Sequence, residues 1–179
     1  MNFTKTAGAL IIAFLVCSPR TAAGNGSHSS EQSHFSAEEA GVEKPVPIPQ
    51  GVWDILTTDE LVCGKREGEH ISPKDVPLSW FSASAIHLSN SEKVDFVVMG
   101  EGPLRGANII PFWVFRATAD GYKLVLEASV HDLIVKNNRS HGYRDIEMSG
   151  ETALRYTSVL FRFDGEQYKR LRVRSEEMK

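Results

Sequence analysis

At 179 residues, with 41% apolar and 24% charged side chains, the chain has the make-up of one globular domain with appendages. Its formal net charge of −3 gives it no electrostatic reason to seek nucleic acid. Its longest apolar run, near the N-terminus, is too short to span a bilayer as a helix.

Taken in order, Lys5, the apolar run Ala7 to Val16, and small residues at Thr21 and Ala23 form the pattern of a secretory signal peptide over residues 1–23. Its removal takes Lys5 and Arg20 and leaves a more acidic mature chain. The expected location is secreted or periplasmic. Lipidation at Cys17 fits less well, because bulky Val16 precedes it where a lipoprotein signal has a small residue. Cys63 is then a lone thiol, expected as a small buried apolar residue. Residues 24–44, with His28 and His34, carry too little apolar content to repay ordering and are expected to be a disordered linker. The alternating prolines Pro45, Pro47 and Pro49 read as an extended strut into a β domain over 45–179.

The spacing of Val52, Ile55, Leu56 and Leu61 predicts one short helix over 52–62, with Asp59 placed to cap a second piece. From Leu78 onward the pattern is that of strands, expected at 81–88, 95–99, 112–117, 122–127, 131–136, 143–148, 156–163 and 168–173. Trp113 and Phe115 share one face of their strand and Phe112 and Val114 the other, which marks a central strand; Asp145 and Glu147 opposite Ile146 and Met148 mark a half-exposed one. Phe115 and Phe161 are 46 residues apart, as are Arg116 and Arg162, Tyr122 and Tyr168, and Lys123 and Lys169. Asp95 and Asp145 stand in corresponding places at an offset of 50. The expected fold is therefore all-β, a mostly antiparallel eight-strand meander, sandwich- or barrel-like, with one short N-terminal helix; the matched spacings read either as two four-stranded repeats or as a chance likeness between amphipathic hairpins.

The stretch His87 to Val98 resembles the strand–loop–strand of FG-GAP or VCBS-type repeats, whose loop often binds calcium. Leu78–Phe81, Gly106–Ile109, Pro111–Arg116, Gly142–Ile146 and Arg162–Gly165 further resemble a family of exported bacterial proteins of unknown function. These resemblances imply export and a β fold and bring no activity. Of the loop's ligand places only Asp95 keeps a carboxylate; Ser89 and Ser91 stand where acidic or amide ligands belong, so no calcium site is expected.

No Gly-x-Ser-x-Gly, His-Glu-x-x-His or paired cysteines accompany the two tempting groups, His131 with Asp132 and His141 with Asp145. No catalytic residue and no cofactor are assigned. The glycine-rich loop from Gly100 to Pro111 holds the expected binding residues Leu104, Arg105, Asn108 and Ile109. Arg170, Arg172 and Arg174 alternate and are expected to share one face of the last strand. The functional expectation is a non-catalytic exported module binding a protein or envelope glycan. The competing expectations are a hydrolase with an unrecognised histidine–carboxylate site, or a structural envelope protein.

Overall fold

The computed structural model describes residues 31–38, 41–64 and 71–178. The expected signal peptide and the first part of the expected linker lie outside the described residues. Among the described residues nine strands form two antiparallel sheets: β1 (His34–Ser36), β2 (Phe81–Ile86), β3 (Asp95–Gly100), β4 (Ile110–Ala117), β5 (Tyr122–Val130), β6 (Asp132–Ser140), β7 (Tyr143–Thr152), β8 (Arg155–Phe163) and β9 (Tyr168–Glu177). The first sheet has order β2-β3-β4-β5 and the second β1-β6-β7-β8-β9. All eight strands expected from the pattern are present, each four forming one meander.

Strand β4 shows why the sheets stack as they do. Phe112 and Val114 enter an apolar core shared with Leu133, Val135, Ile146 and Met148 of the second sheet. Trp113 and Phe115 point the other way, into a core shared with Val52, Leu56 and Val62 of the helical segment. Burial of apolar side chains on both faces holds the three layers together. Trp113 packs edge-on to Phe81 at 5.7 Å, and its indole Nε1 donates to Asp59 Oδ2 at 3.2 Å, so this fully buried ring leaves no orphan donor.

The helix is two pieces, α1 (Gln50–Leu56) and α2 (Glu60–Cys63). The Thr57 and Thr58 hydroxyls fold back onto the carbonyls of Trp53 and Asp54, closing α1. Asp59 is extended and its carboxylate accepts from the Leu61 N–H at 2.8 Å, which starts α2. Gly64 turns extended and ends α2, and only glycine fits there, since a side chain would run into the Glu60 carbonyl.

The described part of the stretch expected to be disordered, residues 31–38 and 41–44, is ordered instead. Phe35 is fully buried between the sheets, and β1 pairs with β6 with Phe35 opposite Leu133. Glu31 accepts from Arg144 Nη1 at 2.7 Å and from the His87 N–H at 2.8 Å. One aromatic side chain and these charged bonds repay an ordering cost that the polar surroundings could not.

The internal echo has a structural counterpart. In each meander the last hairpin carries a bulge at the matching point: Val125 is the extra residue against the Val114/Phe115 pair, and Leu171 against Leu160/Phe161. The closing pairs also match, Arg116 with Lys123 and Arg162 with Lys169, then Ala117 with Tyr122 and Phe163 with Tyr168. Phe115 faces the helices whereas Phe161 packs toward the first sheet. The second sheet therefore sits behind the first in the same sense. The bulge also breaks the expected arginine stripe. Arg170 opposes Phe161 and Arg172 opposes Leu160, neighbours on alternate faces, so only Arg172 and Arg174 share one.

Candidate functional site

The loop between β3 and β4 is shaped by its glycines. A side chain at Gly100 would come within 2.5 Å of the Pro111 ring, so glycine there lets β3 lie against the start of β4. Gly102 has φ 54° and opens a 3-10 turn over Gly102–Leu104. The Glu101 N–H donates to the Trp80 carbonyl at 2.7 Å, which ties this turn to the 3-10 turn Leu78–Trp80.

Four residues of this loop are expected to bind, and the structure gives them different places. Leu104 is partly buried against the helix-side core and lines a groove with Leu61, Val62, Ile71, Trp80 and Pro103. Arg105 is engaged within the molecule: Nη1 donates to Glu101 Oε2 at 3.1 Å and Nη2 to the Ala37 carbonyl at 2.6 Å. It clasps the chain after β1 to the loop. Asn108 and Ile109 are exposed, Ile109 at 52%. Ile110, read as a loop residue, is fully buried in β4. The groove's remaining walls come from α2 and the 3-10 turn before β2, where Leu61 is 41% and Leu78 62% exposed. The sequence marks Leu61 only as part of a helix and gives Trp80 no binding role, because the groove forms only when α2 is laid against the loop.

The loop between β2 and β3 leads into Asp95, the first residue of β3, whose carboxylate is engaged within the molecule. Asp95, 2% exposed, accepts from the Leu88 N–H at 2.9 Å and from the Ala117 N–H at 2.8 Å. Burial pushes its pKa up, against the pull of those two amides. The Ser89 and Ser91 hydroxyls bond each other at 2.9 Å.

The two histidine groups lie apart. His131 stands where β5 passes into β6, and His141, with φ 49°, in the turn at the far end of β6. His141 Nδ1 donates to the Phe163 carbonyl at 2.7 Å. Asp145, expected on a solvated face, is 2% exposed; it accepts from Ser140 Oγ at 2.7 Å and meets Arg162 Nε at 3.4 Å. Both partners come from elsewhere in the sheet, Ser140 from β6 and Arg162 from β8, which the alternation pattern of β7 cannot register. His131 Nδ1 lies 2.9 Å from Asp132 Oδ2. The bond to Asp132 holds the His131 pKa above its ordinary value, with Glu38 and Glu151 adding to it. Burial pushes Asp132 up, but bonds from His131, Ser36, His34 and Ser149 outweigh it and leave that carboxylate below the usual range. Cys63 is buried, its thiol donating to the Thr57 carbonyl at 2.7 Å, and desolvation with the nearby Asp59 charge raises its pKa, as expected of an inert core thiol.

No family model, curated protein or solved structure matches the chain. Among the described residues no helix is long and apolar enough to cross a membrane.

Proposed function

We propose that the chain is an exported, non-catalytic binding module that takes an apolar side chain of a protein partner into the groove between α2, Trp80 and Leu104. The observation that carries this reading is the groove's lining: Leu61, Val62, Ile71, Trp80, Pro103 and Leu104 converge, and Leu61 and Leu78 stay exposed beside it. Leucines held at the surface by short helical turns cost free energy in water and gain it when covered. The lining offers aliphatic contact around a single indole, which favours a peptide anchor over a hydroxyl-rich glycan. Export rests on the signal pattern of residues 1–23.

Panning a random peptide library over the immobilised chain tests it. Selected peptides should share an aliphatic or aromatic anchor. Leu61→Asp and Leu104→Asp should each weaken the best peptide at least about tenfold, equivalent to about 1.4 kcal/mol, with folding retained. Leu154→Asp, 76% exposed on the β7–β8 turn, should leave binding unchanged. Peptides without such an anchor, or ones indifferent to both groove substitutions, would overturn the proposal.

A further inference from the structure

A second group of side chains lies at the β5–β6 corner, apart from the groove. His131 is 8% exposed and fixed through its backbone: its N–H donates to the Ser149 carbonyl and its carbonyl accepts from the Ala37 N–H, both at 2.9 Å. Its Nδ1 is engaged by Asp132 Oδ2 at 2.9 Å. Asp132 is itself held, by the Ser149 hydroxyl at 3.1 Å and beside His34 Nε2 at 3.2 Å. With Nδ1 so engaged, Nε2 is the ring atom left to the outside, and it lies 3.6 Å from Glu38 Oε1. Glu151, two residues beyond Ser149 on β7, brings the third group. One ligand atom from each of Glu38, His131 and Glu151 lies within 4.8 Å of the other two.

We propose that Glu38, His131 and Glu151 bind one first-row divalent cation, Zn2+ foremost, with Asp132 as the positioning residue for the imidazole. Metal–ligand bonds of about 2.0–2.2 Å place tetrahedral ligand atoms about 3.4 Å apart. The His131–Glu38 separation already meets that. Glu38 and Glu151 are exposed side chains that can close the remaining gap without moving the sheets. An imidazole nitrogen among carboxylates selects zinc-like ions over calcium and magnesium. A carboxylate on the far ring nitrogen is the arrangement that fixes tautomer and orientation in histidine–metal sites. Three protein ligands leave a coordination position open to water or to a partner's side chain. The ligands arrive from the segment after β1, the β5–β6 corner and β7, so the site exists only once β1 has docked.

Titration calorimetry of the full chain with Zn2+, and the visible absorption of Co2+ in the same site, test this. The expected result is a single saturable 1:1 isotherm. Glu38→Gln with Glu151→Gln, both at exposed positions, should weaken it at least about tenfold. Excess Ca2+ or Mg2+ should not displace the ion. His131→Asn should abolish binding, and the two glutamate changes keep the test decisive if that variant fails to fold. A flat titration, an isotherm indifferent to the double glutamate change (as binding by His28 and His34 alone would give), or displacement by Ca2+ would each overturn the proposal.

Discussion

Asp95 and Asp145 occupy matching places in the two meanders, and both are nearly inaccessible to water. Their partners differ. Asp95 holds two backbone amides, Asp145 a serine hydroxyl and the Arg162 guanidinium. Removing the Asp95 carboxylate orphans two N–H groups at once. Asp95→Ala is therefore expected to cost about 2–6 kcal/mol, each of the two orphaned donors contributing about 1–3, measured by urea unfolding; a loss near zero would mean that water replaces the carboxylate. Tyr168 supplies the pH dependence. Its ring sits against Phe163, and its hydroxyl donates to the Arg144 carbonyl at 2.6 Å. Burial, first, and then the neighbouring Asp95 and Asp145 charges push its pKa far above the ordinary 10.0. Below pH 10 the phenol is protonated in both folded and unfolded chains, and its stabilisation is complete. Above pH 10 the unfolded chain ionises while the folded one resists, so stability falls by up to about 1.4 kcal/mol per pH unit. Tyr168→Phe should be about 1 kcal/mol less stable at pH 7 and should lose less than the parent between pH 10 and 11. Equal alkaline losses in the two proteins would contradict this.

At the scale of elements, the eight long strands were legible because their alternation runs over several residues, and the break between α1 and α2 because Asp59 is a strong cap. Strand β1 was not legible. It has three residues and one apolar side chain in a polar stretch, and its stabilisation comes from pairing with β6, nearly a hundred residues away in sequence. Phe35→Ala should cost about 3–5 kcal/mol, the range for a fully buried aromatic, and should release the segment through Glu38 to proteolysis; a resistant segment with unchanged stability would show that Phe35 is not its anchor. The β-bulges were equally hidden. They are recorded only in the pairing, yet Val125 and Leu126 both enter the inter-sheet core because of one, and the arginine stripe is split by the other. Of the expected binding residues, Leu104 reaches the groove, while Arg105 is consumed in holding Glu101 and the Ala37 carbonyl. A sequence shows an arginine in a loop; it does not show which carbonyl lies within its reach.

For the whole molecule, the stacking of the two meanders sets the layering. The first sheet is covered on both faces, by the helical segment and by the second sheet, so its central strands are apolar throughout. The second sheet has one face in the core. Its other face is built from polar and charged groups such as Ser149, Ser158, Glu147 and Arg172. The molecule thus presents an apolar groove at its helical side and the His131 corner on the polar sheet. The groove is the central functional claim, and amide chemical-shift mapping with a library-selected peptide tests it most directly. The largest shifts should cluster at Leu61, Val62, Trp80 and Leu104 while the amides of β7 to β9 stay still. Shifts gathered on the second sheet, with the groove residues unmoved, would contradict the account.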